Sequence, residues 1–149
     1  MKRKARERLP KRAAGSFPSY LYKSLDELEG AWGDAGPNST GLIEACHALH
    51  RKPLLPLTDE EIGLALRQRV GLPWTLRLTV QRLRRDPMRL GHVHPEGDLL
   101  RYALQLSPGE WGALTSELRE IAATIIPTLP ETPDYLPLIA EYQRFTAAA

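Results

Sequence analysis

The sequence predicts an all-α fold, a single compact bundle of five to seven helices with a flexible basic tail at its N-terminus. Three observations predict it. Ser or Thr is followed three residues later by Glu at Ser24/Glu27, Thr58/Glu61 and Ser107/Glu110. In that pattern the two side chains satisfy backbone N–H groups left free at a helix start. Apolar residues downstream of these starts recur at helical spacing. The segments between them are rich in Gly, Pro, Asn and Asp, the chemistry of turns.

Taken in order, residues 1–17 have almost no apolar residues and no periodicity. Ordering them would cost entropy that no buried surface offsets, so this segment reads as a flexible tail and residues 18–149 as the domain. Ser24 starts a short turn with Leu25 and Leu28 as its apolar pair, and Gly30 can end it in a left-handed conformation. Residues 33–40 are loop throughout. Leu42, Ile43, Cys46 and Leu49 then share one helical face, and Pro53 stops that helix. Thr58 starts the clearest helix of the chain, in which Asp59, Glu60 and Glu61 sit at the positive end of the macrodipole. Ile62, Ala65, Leu66, Arg69 and Val70 follow its spacing.

Gly71-Leu72-Pro73 ends that helix and begins another, which runs to Asp86-Pro87. Residues 91–95 read as a loop. Residues 98–106 form a buried short helix or a strand, which a short apolar run does not discriminate. Ser107-Pro108-Gly109-Glu110 opens a helix along which Trp111, Leu114, Leu118, Ile121 and Ile125 follow. Three prolines between 127 and 133 demand an extended or turned segment. Thr132-Pro133-Asp134 starts a last amphipathic helix carrying Leu138, Ile139, Tyr142 and Phe145.

Composition bounds the function. The 149 residues suffice for one real core. No apolar run approaches the ~18 residues of a membrane span, and no apolar stretch follows the basic N-terminus as in a secretory signal. The expected location is the cytoplasm, and the lone cysteine, Cys46, fits a reducing compartment. The net charge of +2 is unevenly spread. Residues 1–12 hold seven Lys/Arg against Glu7, whereas the rest holds 13 Lys/Arg and 17 Asp/Glu. A mildly acidic body therefore carries a basic tail.

No catalytic or cofactor signature stands out. Cys46, His47, His50, His92 and His94 are the candidate zinc ligands, but a single cysteine on an apolar stripe reads better as a small buried hydrophobe. His47 beside it reads as a half-buried residue with a hydrogen-bonding role. A nucleophilic Cys46 served by His92 and Asp98 has no supporting spacing. Gly91, Gly97 and Gly109 stand singly, so no phosphate-cradling loop is formed. The expectation is a protein that is not an enzyme and needs no cofactor or metal.

Several short motifs follow one another along the chain: Ser24-Leu25-Asp26-Glu27-Leu28-Glu29-Gly30, Cys46-His47-Ala48-Leu49, Lys52-Pro53-Leu54, Leu57-Thr58, Gly71-Leu72-Pro73, Asp86-Pro87 and Gly97-Asp98-Leu99-Leu100. In this order and spacing, from about residue 20 to Trp111, the chain resembles the immunity proteins of bacterial contact-dependent growth inhibition (CDI) systems. The resemblance implies a small cytoplasmic protein that binds and neutralises one cognate toxin domain, by occluding its active site. The chain departs from the pattern after Gly71-Leu72-Pro73, where Trp74-Thr75-Leu76-Arg77 is more basic than the family's aromatic and apolar continuation. Residues 1–17 and the Pro-rich C-terminal region lie outside it, so the last helix is a candidate added element.

Many toxins of such systems are nucleases with basic substrate clefts, which an acidic surface complements. The partner-contact candidates under this reading are Asp26, Glu27, Glu29 and Asp34, with exposed Trp32, and the second cluster Asp59, Glu60 and Glu61. The plain alternative for both clusters is that they favour helix N-termini. A different class of function, a small helical nucleic-acid-binding regulator, would use the basic tail and the arginines from Arg67 to Arg89. Residues 73–86 offer only Thr75 and Gln81 as short polar base-readers, which weakens it.

Overall fold

All three Ser/Thr-x-x-Glu pairs close as reciprocal capping boxes. Ser24 Oγ accepts from the Glu27 amide while Glu27 accepts from the Ser24 amide at 2.8 Å. Thr58 with Glu61 and Ser107 with Glu110 repeat the arrangement. The computed structural model describes residues 17–88 and 98–148. A 3-10 turn, Ser19–Tyr22, leads into α1 (Leu25–Glu29), α2 (Gly41–Arg51), α3 (Asp59–Gln68) and α4 (Leu72–Arg85). Then follow α5 (Asp98–Gln105), α6 (Pro108–Trp111), α7 (Thr115–Ile125) and α8 (Leu136–Ala147). Six of these are two turns or longer, α1 and α6 are single turns, and no strand occurs among the described residues. The all-α bundle is as expected, and Asp98–Gln105 is helix, not strand.

The short α5 lies at the centre, with α3, α4 and α8 against it. Leu99, Leu100, Ala103 and Leu104 are all buried there, which uses the whole apolar side of that helix. α7 packs on α4, and α2 docks between α1 and α3. The first described segment is tied down by backbone bonds from Leu54 to Lys23 and from Leu55 to Leu21. Leu138 and Phe145 of α8 belong to the same core as Leu66 and Leu100, so the last helix completes the bundle.

Two close approaches explain two glycines. Gly63, inside α3, lies under the Tyr102 ring, where a Cβ would sit 2.7 Å from a ring carbon. Gly71 starts α4 with φ 58°, and a Cβ there would meet the Leu25 side chain at 2.5 Å.

Four details differ from the sequence reading. α3 ends at Gln68, and Arg69 takes the left-handed conformation (φ 55°, ψ 45°) that β-carbons disfavour. Its guanidinium bonds both carboxylate oxygens of Glu110, at 2.8 and 3.3 Å, which fixes that turn. Gly30 ends α1 at φ 106°, ψ 142°, a region open to glycine but not left-handed helical. The helix opened by Ser107 does not run on to Ile125. It breaks at Gly112 (φ 56°, ψ −126°), because Trp111 turns inward and its indole N–H donates to the Ala103 carbonyl at 2.8 Å. Finally, α8 begins at Leu136 rather than at Pro133, after a turn in which Tyr135 and Leu136 both donate to the Thr132 carbonyl. Of the expected tail over residues 1–17, Phe17 is described and packs against the core with Arg85 over its ring, so it belongs with the domain; residues 1–16 and the loop over 91–95 lie outside the described residues.

Candidate functional site: an acidic face built on a buried histidine

α1 and α2 are joined by a glycine-punctuated loop, residues 30–40, in which Gly30, Gly33 and Gly36 all have positive φ. The loop returns the chain so that the C-terminal half of α2 faces α1. His50 comes to lie fully buried between them. Its Nδ1 is 2.5 Å from Asp26 Oδ1 and its Nε2 is 3.2 Å from Glu29 Oε1. Carboxylates only accept, so a neutral imidazole donates to one of them and an imidazolium to both. Trp32 lies flat on the His50 ring, with centroids 4.0 Å apart and an interplanar angle of 18°. The same indole meets His47 edge-on at 5.0 Å, and His47 Nδ1 bonds the Gly33 carbonyl at 3.0 Å. One helix turn of α2 thus fixes both the two carboxylates and the loop that carries Trp32, which stays 43% exposed.

The expected contact residues divide into two groups. Asp26, Glu29 and Trp32 converge on His50, and exposed Asp34 follows on the same loop. Glu27 is exposed too, but its carboxylate serves the capping box. The other cluster stands at the start of α3 and is bound inward. Asp59 accepts from Arg82 Nη1 at 3.1 Å, and the same guanidinium donates to the Leu55 carbonyl at 2.6 Å. Glu61 pairs with Lys52 and accepts from the Thr58 amide. Burial alone would raise the Glu61 carboxyl, but the Lys52 ammonium and the Thr58 N–H outweigh it and hold the group below its ordinary value. Glu60 is half-buried beside them.

His47 is half-buried and hydrogen-bonded, as its place beside Cys46 suggests, whereas the sequence offers His50 only as a zinc candidate and its pairing with two carboxylates goes unseen. The signal was present in their three-residue spacing on one helix face beside a Trp-bearing acidic segment. The partners are 21 and 24 residues away in sequence, which no local pattern reveals. Among the described residues no group of three His, Cys, Asp or Glu is placed to hold a metal. His92 and His94 lie outside them. Burial pushes the Cys46 thiol up, away from the thiolate that nucleophilic chemistry needs.

The arginines of the nucleic-acid alternative are largely engaged within the fold. Arg67 lies over Tyr102, Arg77 over Trp74 and Arg85 over Phe17, with centroid distances of 4.5, 5.0 and 5.4 Å. Arg84 pairs with Glu117 across a shallow groove of about 240 Å³, and Arg89 lies outside the described residues. Thr75 is fully buried and donates to the Val70 and Gly71 carbonyls, so it is no base-reader. No helix of the described residues is long and apolar enough to cross a membrane.

A family model described as CDI immunity proteins matches residues 27–121, which carries the likeness past Trp111, where the resemblance read from the sequence ends, into α7. No curated protein and no solved structure matches the chain. With the matched stretch spanning α1 to α7 and covering most of the core, the chain belongs to the family of CDI immunity proteins.

Proposed function

We propose that this protein binds the toxin domain of its own CDI system one-to-one and neutralises it without catalysis, in the cytoplasm. The observation that carries the reading is the acidic face formed by α1, the loop 30–40 and the start of α2, a face that includes exposed Trp32. Aromatic anchors are frequent energetic centres of tight interfaces, and charge at the rim steers encounter. A basic nuclease cleft is the partner surface that this face complements, and occluding such a cleft would block the substrate directly. A stable complex requires about 800 Å² buried on each side. Asp59, Glu60 and Glu61 remain available as a rim that steers encounter even though Asp59 and Glu61 have partners within the chain.

The test is co-purification of the tagged chain with the toxin domain encoded beside its gene. A one-to-one complex is expected. A folded chain that fails to retain the domain overturns the reading. Reversing charges in the two acidic clusters should slow association in variants that remain folded, and unchanged neutralisation with both clusters reversed would remove the electrostatic part.

A further inference from the structure

We infer that the toxin-contact hot spot is the uncovered first turn of α2, Leu42 and Ile43, together with Trp32, and that it receives an apolar recess within a positively charged surface of the toxin. This rests on the immunity reading and specifies its site. Leu42 and Ile43 continue the helix stripe that Cys46, Leu49 and His50 bury one and two turns later. The cover does not reach the start of the stripe: Leu42 and Ile43 are 48% and 43% exposed, because the first turn of α2 projects beyond the elements that cover its second half. Trp32 packs against His47, one turn after Ile43 on the same face. Three of the five large exposed hydrophobics of the described chain therefore belong to this one loop and helix start, and Tyr22 and Leu136 are the other two.

Charge identifies the occupant. Residues 24–50 contain five acidic residues, Asp26, Glu27, Glu29, Asp34 and Glu44, and no Lys or Arg. The remainder of the chain holds all 20 Lys/Arg against 13 acidic residues. Arg51 and Lys52 close α2 at its far end, roughly 14 Å along the axis from Leu42 at 1.5 Å per residue. At the start of α3, Asp59 and Glu61 are offset by Arg82 and Lys52, and no exposed large hydrophobic lies among them. The α2 face combines uncovered apolar surface with an acidic surround, which the start of α3 does not. Trp32 is also already fixed on His50, so seating it in a partner costs little further entropy.

The experiment measures toxin-domain affinity for the full chain and three variants: Leu42→Ala/Ile43→Ala, Asp34→Asn/Glu44→Gln, and Leu136→Ala as an equally exposed apolar control on α8. Melting temperatures confirm that each remains folded. The double alanine variant should lose at least tenfold in affinity. The Asn/Gln variant should associate several-fold more slowly, with a weaker salt dependence, and Leu136→Ala should stay within threefold. Wild-type binding that survives the double alanine change within twofold overturns this inference and leaves the immunity reading standing. Absence of wild-type binding overturns the immunity reading itself. Self-association lost in the double alanine variant, with toxin affinity unchanged, would assign the face to a second copy of the chain and also overturn it.

Discussion

Replacing His50 tests how α1, the glycine loop and α2 are held together. The imidazole is fully buried, and its polar partners are two carboxylates on α1. Hydrogen bonds to charged groups contribute about 1.5–3 kcal/mol each. The Asp26 contact at 2.5 Å belongs inside that range, since the carboxylate is 24% exposed. The Glu29 contact is longer, 3.2 Å, and its carboxylate is 32% exposed and can return to water, which puts it at or below the lower end. The stack with Trp32 adds about 0.5–1 kcal/mol beyond its area, the lower part of the range because the indole is half in solvent. His50→Ala should therefore cost about 3–4 kcal/mol, a large share of the ~5–15 kcal/mol typical of a domain. At about 2–4 °C per kcal/mol for a chain of this size, the midpoint falls by roughly 10 °C. His50→Phe keeps the ring and the stack but loses both hydrogen bonds, and should recover only the stacking part. The assay is thermal and urea unfolding followed by far-UV circular dichroism, completed by a double-mutant cycle with Asp26→Ala. If both His50 variants unfold within 2 °C of the parent, or if the cycle is additive, His50 does not organise this face.

Three other outcomes follow from the packing and the charges. Gly63→Ala gains about 1 kcal/mol of helix propensity but drives a methyl group to 2.7 Å from the Tyr102 ring, which Arg67 covers. Overpacking of about 1–3 kcal/mol should win, and a raised melting temperature would show that the ring yields freely. Trp111→Phe removes the donor to the Ala103 carbonyl and part of a buried ring, so a loss of about 2 kcal/mol is expected in urea unfolding, with no change meaning that the Gly112 break does not depend on that bond. Glu61 and Glu110 are both held below the ordinary 4.5, Glu61 by Lys52 and Thr58 against burial and Glu110 by Arg69 and Ser107. Because the unfolded chain takes up these protons first, the stability they confer is full above about pH 5 and is lost as pH falls through the lowered folded values. Glu61→Gln should flatten the acid limb of a stability–pH profile, and an unchanged limb would contradict the pairing with Lys52.

What the sequence disclosed and what it withheld divide along physical lines. The capping boxes at Ser24, Thr58 and Ser107 were legible because cap and partner lie three residues apart and need no tertiary context. The break at Gly112 was not, since it depends on Trp111 finding a carbonyl on α5. Periodicity placed Leu42 and Ile43 on the correct face of α2, yet a periodic stripe does not say where its cover ends. The acidic clusters were visible as composition. That Asp26 and Glu29 bracket His50, while Asp59 and Glu61 turn toward Arg82 and Lys52, depends on helices meeting in space. Arg69 in a left-handed turn has no local signature, because Gly is the residue expected there.

The central claim is that a CDI immunity protein uses this helical bundle to neutralise a toxin, and survival measures it most directly. Cells induced to express the neighbouring toxin domain are plated with and without this chain. The account predicts growth only when the chain is co-expressed, with protection scaling with the amount of complex recovered. Equal killing with and without a folded, abundant chain would contradict it.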